Sequence, residues 1–233
     1  MITLRENAAR AQQTITMFQA LAVVLGLVIL ADCGYLNMLG SGRGTDDIDA
    51  TPMGIAHNLL ALVELIVLIT AFVLFVRWLR RAYWNLHALG RPIEHSEGWA
   101  AGAWFVPFLN MFRPYSIVRE VWRQTQLVAF EQVTPHGLLR AWWLLFISHG
   151  IVSNITSKMG NRATTIEQLQ SAVWGNAITS ILMLGTAVLT IQVVRRIASY
   201  EAQMDLRLQV SRIGMEAPQP AAELLEDQSD YEY

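Results

Sequence analysis

Apolar residues along this chain gather into four long runs, about Phe18 to Leu39, Ile55 to Val76, Leu138 to Ile155 and Ala172 to Val194, and most charges fall between them. An α-helix rises 1.5 Å per residue, so about 20 apolar residues cover the roughly 30 Å hydrocarbon core of a bilayer. The pattern therefore predicts four membrane-crossing helices at about residues 18–39, 55–76, 138–155 and 172–194. Hydrocarbon offers no partner to backbone N–H and C=O groups, which excludes open sheet and leaves an all-α, four-span membrane bundle over residues 18–194.

The stretches around the runs carry their own signals. Residues 1–17 read as an amphipathic segment opened by a Thr3–Glu6 capping box. Gly40 to Pro52 reads as a polar loop without apolar periodicity, and Gly40 to Gly44 within it as loop alone. The second helix is expected to run past the membrane to Leu89, with Gly90 as its C-terminal cap and Pro92 beyond. A Thr164–Glu167 capping box opens the fourth helix. After it, residues 195–214 form an amphipathic helix with Ile197, Met204, Leu208 and Ile213 on its apolar face, and residues 215–233 an acidic disordered tail.

One segment fits neither class. Trp99 to Met111 is apolar and uncharged, too short to span, and interrupted by Pro107. Asn110 is placed to cap a helix terminus, and Pro114 to occupy the first turn of a helix carrying Arg119 and Trp122. The expectation is a half-buried, re-entrant or interfacial helical hairpin over about residues 97–130.

Charge then orients the bundle. At 53% hydrophobic and 15% charged residues, the chain lies outside soluble-domain composition, where about a quarter of residues are charged. The net charge of −2 hides a segregation. Residues 1–17 carry Arg5 and Arg10; residues 77–140 carry Arg77, Arg80, Arg81, Arg91, Arg113, Arg119, Arg123 and Arg140; the final segment carries Arg195, Arg196, Arg207 and Arg212. The opposite loops hold Arg43, Lys158 and Arg162, with Asp46, Asp47 and Asp49 in the first. Positive charge is retained on the cytoplasmic side, so both termini are expected there. Trp78, Trp84, Trp142 and Trp143 fall at the arginine-bearing ends of their runs, and Trp174 at the other interface. The first run resembles a lipoprotein signal around Cys33, but Asp32 stands where a small residue is required, which favours an uncleaved helix with a free thiol. A single cysteine excludes an intramolecular disulfide.

Residues 77–123, reading RWLRRAYWNLHALG and then GWAAGAWFVPFLNMFRPYSIVREVWR, resemble the signature of the bacterial domain-of-unknown-function family 4328. The later LRAWWLLF, Leu139 to Phe146, resembles the same family's tryptophan pair, and the likeness covers roughly residues 55–200. The resemblance implies a bacterial multi-span membrane domain, and the location expected for the chain is the bacterial inner membrane. It implies no activity, substrate or cofactor.

Ionisable groups inside hydrocarbon cost a few kcal/mol even on lenient insertion scales, so Asp32, Glu64 and His149 each need an explanation. Counted from the outer helix ends, they form one intramembrane polar layer, with Ser148, Asn154, Asn176 and Thr179 at or above its depth. The favoured reading is structural, with Glu64 and His149 holding the second and third helices in register. A proton or cation pathway is the alternative, and a metal site lacks a second histidine, so no metal is expected. Haem needs two histidines at matching depth, and His57, His87, His95, His136 and His149 do not provide them. No catalytic triad, phosphate-binding loop or zinc-ligand spacing is present, so no catalytic residue, enzymatic activity or cofactor is expected.

The second group of candidates is the hairpin and basic interface: Arg77, Arg80, Arg81, Trp104, Pro107, Asn110, Arg113, Pro114 and Arg119. Contact with anionic lipid is the favoured reading, and a docking platform the other. The sequence thus favours a non-enzymatic sensing or scaffolding module acting through its cytoplasmic hairpin and C-terminal helix. Its partners are the lipid bilayer, a second copy of itself, or a cytoplasmic or membrane protein; nucleic acid is not among them. The second reading is an oligomeric channel or transporter subunit, and the third a cofactor-bearing bundle.

Overall fold

A computed structural model describes residues 4–41 and 45–216. The Thr3–Glu6 capping box and the tail beyond residue 216 lie outside the described residues. Among the described residues seven α-helices follow one another: α1 (Ala8–Gly40), α2 (Thr45–Asp49), α3 (Pro52–Ala88), α4 (Trp99–Gly102), α5 (Arg113–Phe130), α6 (Gly137–Arg162) and α7 (Ile166–Glu216), with a 3₁₀ turn at Leu109–Met111 before α5. Four of them, α1, α3, α6 and α7, are long and apolar enough to cross a membrane.

The ends of these helices follow from local chemistry. At the end of α3, Gly90 takes φ +63°, its N–H donates to the His87 carbonyl and the Arg91 N–H to the Leu86 carbonyl. That pair of bonds is the glycine-dependent C-terminal motif read from the sequence. The fourth helix starts one residue later than expected. Thr165 Oγ1 accepts from the Gln168 N–H at 3.2 Å while Gln168 Oε1 accepts from the Thr164 N–H at 2.9 Å, so the cap is Thr165 with Gln168 in place of Thr164 with Glu167. Pro114 sits in the first turn of α5 as expected, but Asn110 is exposed within the 3₁₀ turn and gives no side-chain cap. The loop after α1 is also more ordered than its composition suggests. It contains α2, whose Ile48 is fully buried against Tyr35 and Leu39.

The four long helices pack in the order α3, α1, α7, α6. In the most apolar 18-residue windows, 39% of α1 and 50% of α7 is buried, against 11% for α3 and for α6, so α1 and α7 are the inner pair. Lipid tails are as apolar as leucine, so burying leucine cannot by itself hold such helices together; close approach of small side chains can. Accordingly α7 buries Ala172, Ala177, Ser180, Thr186, Ala187 and Thr190. The outer helices α3 and α6 face one another across a groove of about 990 Å³ lined by Leu68, Phe72, Trp104, Phe146, His149 and Asn154. At the arginine-bearing end aromatic rings bridge it, with Phe75 and Trp142 centroids 6.1 Å apart.

Most large buried side chains collect at that same end. Trp78, Tyr83, Trp122 and Trp142 are at most 2% exposed, with Ile117, Val118 and Val121 of α5 beside them. At the opposite end, Gly54 near the start of α3 meets α2 closely: a Cβ there would lie 2.2 Å from the Ile48 carbonyl oxygen. Backbone cannot move aside as a side-chain tip can. Gly54→Ala is therefore expected to cost about 1–3 kcal/mol and to loosen α2 from α3. Amide hydrogen exchange over residues 47–58 reads this directly, and unchanged protection there would speak against the close approach.

Candidate functional site

Asp32 is a fully buried carboxyl, at 0% exposure, and it sits on α1 eight residues before the helix end. Its Oδ1 lies 2.9 Å from Nε2 of His57 on α3. Asn176 on α7 donates from Nδ2 to both carboxyl oxygens, at 3.2 and 2.9 Å. The Tyr35 ring stacks on the His57 imidazole with centroids 4.8 Å apart, and the Tyr35 hydroxyl donates to Asp49 Oδ1 at 3.1 Å. Three long helices thus meet at one carboxyl group, and α2 is joined to them through Tyr35.

This is a different constellation from the polar layer the sequence suggested. Asp32 belongs to it, but its partners are His57 and Asn176. Glu64 is partly buried on α3, and His149 lines the groove on α6, with no hydrogen bond between the two among the described residues. The physical reason is the helix order: α3 and α6 are separated by the groove, whereas α1 touches both α3 and α7. Counting residues from helix ends gives depth but not azimuth, and azimuth decides partners. His57 was legible in the sequence only as a histidine at the wrong depth for haem.

Because Asn176 supplies two of the hydrogen bonds to a fully buried carboxyl, Asn176→Leu is expected to lower stability by about 1–3 kcal/mol. In the double variant Asp32→Leu, Asn176→Leu only the His57 imidazole is left without its partner, so the loss is expected to fall short of the sum of the two single losses. Unfolding of the four proteins in mixed micelles measures the coupling; strictly additive losses would show that the pair does not interact.

The arginine-bearing end holds the second group. Here Tyr83 of α3 donates to Glu120 Oε2 of α5 at 2.6 Å and accepts from the His95 N–H at 3.1 Å. Burial, reinforced by Glu120, pushes the Tyr83 hydroxyl well above the ordinary tyrosine range. Arg91 donates to Gln124 Oε1 from both Nε and a terminal nitrogen, and Gln124 returns a bond to the Pro92 carbonyl at 2.9 Å. The segment between α3 and α4 is thereby clamped onto α5. Among the described residues, Glu94, His95 and Glu120 are a set whose ligand atoms converge within 4.8 Å of one another.

The hairpin residues expected from the sequence divide between core and surface. Trp104 packs edge-on to Phe72, Phe75 and Phe146, and Trp143 Nε1 donates to the Met111 carbonyl at 3.2 Å. Arg113 stacks 4.0 Å from the Trp99 ring, and Arg119 lies 5.9 Å from the Tyr115 ring. Arg80 pairs with Glu97 at 3.1 Å, Arg81 is half-buried, and the Arg77 carbonyl accepts from Arg10 at 3.2 Å. Pro107 lies in the exposed turn next to Phe108, which takes φ +65°. Phe105, Phe108 and Phe112 are exposed at 71%, 83% and 70%.

The model of the family described as domain of unknown function, DUF4328, matches residues 49–199, well over half of the chain. Neither a curated protein nor a solved structure matches the chain.

Proposed function

We propose a function on one premise: the chain belongs to the DUF4328 family. On that footing it is a multi-pass bacterial inner-membrane module with both termini in the cytoplasm. It is non-enzymatic, and it senses or scaffolds through its cytoplasmic hairpin and C-terminal helix. The hairpin dips its exposed Phe105, Phe108 and Phe112 into the inner leaflet, while Arg77, Arg80 and Arg119 meet the headgroups.

The observation that carries this reading is the placement of packing. The tightest core gathers at the arginine-bearing end, and α7 continues from Val194 to Glu216, about 33 Å at 1.5 Å per residue. That extension leaves Leu206 and Val210 more than half exposed. A helix so extended, with apolar residues bare, is suited to holding a partner helix or a second copy. Capture from mild detergent tests it. Wild type is expected to retain a specific partner, itself included, that Leu206→Glu with Val210→Glu loses; no specific partner, or equal recovery by the variant, ends the reading.

A channel or transporter subunit is the second reading, favoured by the Asp32, His57 and Asn176 cluster and by α3 and α6 faces left for oligomer contacts. Flux into liposomes that Asp32→Asn or Glu64→Gln abolishes would support it, and absence of wild-type flux removes it.

A further inference from the structure

We propose that Glu94, His95 and Glu120 bind one divalent transition-metal ion of the zinc class, at the junction between the segment that follows α3 and helix α5. The inference rests on two buried atoms that the fold leaves without partners. His95 Nε2 and Glu120 Oε1 are both sealed from solvent, neither makes a hydrogen bond, and they stand 3.8 Å apart. A histidine and a carboxylate that share a proton draw together to hydrogen-bond length, as His57 and Asp32 do at 2.9 Å elsewhere in this chain. This pair stays apart.

The separation suits a shared ion. Two ligands bound tetrahedrally at about 2.0–2.1 Å lie about 3.3 Å from one another, so a small rotation of either side chain completes the geometry. Glu94, adjacent in sequence and exposed, supplies the third ligand atom within the 4.8 Å cluster. Three protein ligands leave a further position toward solvent on the Glu94 side, the arrangement of an exchangeable ion rather than an enclosed structural one. One imidazole with two carboxylates selects a first-row transition ion over calcium or magnesium, which take oxygen ligands alone.

The surroundings behave as an outer shell. Glu120 Oε2 is held by the Tyr83 hydroxyl at 2.6 Å and the Glu94 N–H at 3.3 Å, which turns Oε1 toward the histidine. The His95 backbone is fixed at both ends, its N–H by Tyr83 at 3.1 Å and its carbonyl by His87 Nε2 at 3.0 Å. Ligands oriented in this way by neighbouring hydrogen bonds are what a metal site requires. The bound ion joins residues 94 and 95 to residue 120, tying the end of α3 to α5. This site does not depend on the sensing or scaffolding reading.

The test uses the full chain without an affinity tag, purified in detergent, and zinc ion alone as probe in competition with a chromogenic chelator. Wild type is expected to bind one zinc per chain, His95→Gln to bind at least tenfold more weakly, and Glu94→Gln to fall between them. Cobalt in place of zinc should give visible absorption bands of a four- or five-coordinate nitrogen and oxygen site, lost in His95→Gln. Exchange of amides 91–97 should slow on adding zinc to wild type only. Glu94 is exposed, so its variant keeps the test valid should His95→Gln fold poorly. Equal zinc affinity in all three proteins, or no stoichiometric binding by wild type in the micromolar range, overturns the site.

Discussion

Trp142→Ala is expected to cost about 3–5 kcal/mol of stability. Trp142 is 2% exposed on α6, and its ring lies among Phe75, Trp143 and Phe146, where it joins α6 to α3. Its Nε1 donates to Thr190 Oγ1 on α7 at 2.9 Å, and Thr190 donates onward to the Thr186 carbonyl at 2.8 Å. Removing the indole leaves a void that rigid helices close only in part and deprives Thr190 of its donor. Thr190→Val keeps the volume and leaves only the indole N–H unpaired, so it should cost less, about 1–3 kcal/mol. Equilibrium unfolding in mixed micelles separates the two, and a Trp142→Ala loss no larger than that of Thr190→Val would show that packing at this junction contributes little.

The second large effect is a pH dependence centred on Glu201 of α7, beyond the last apolar run. Burial raises its carboxyl from 4.5 to about 7, against the opposing pull of Asn7 and Trp78. Asn7 Nδ2 donates to both oxygens at 3.1 Å, so Glu201 fastens the start of α1 to α7. A carboxyl raised in the folded chain binds its proton more readily there than in the unfolded chain. Its contribution to stability is therefore fully present below about 4.5 and is lost as pH rises through about 7, by at most about 3 kcal/mol. Glu201→Gln keeps the shape without the charge, and its melting temperature should stay level across that window while wild type declines. Parallel pH profiles for the two proteins would mean that the Glu201 carboxyl does not titrate in this range.

How much of this was legible in the sequence differs from element to element. The Gly90 and Pro92 signal gave the end of α3, because positive φ and a missing N–H are properties of single residues. Pro114 gave the start of α5 for the same reason. Thr164 and Thr165 could not be told apart, since either begins a capping pattern three residues before an acceptor side chain. Ile48 in α2 was missed because one apolar residue has no periodicity, and it becomes core through its packing with Tyr35 and Leu39 of α1. The convergence of Glu94 and His95 with Glu120 was likewise hidden, because residues 26 and 25 positions apart come together only after α5 folds back on α3.

The sequence by itself determined the four membrane-length helices, their approximate limits and the gathering of arginine between them, because hydropathy and backbone hydrogen bonding act locally and set how long an apolar helix must be. Only the tertiary structure decided that Asp32 meets His57 and Asn176. Partner choice depends on which helices are neighbours and how each is rotated about its axis. In an apolar medium those are fixed by small-residue packing and hydrogen bonds between helices, which pattern along one helix does not encode.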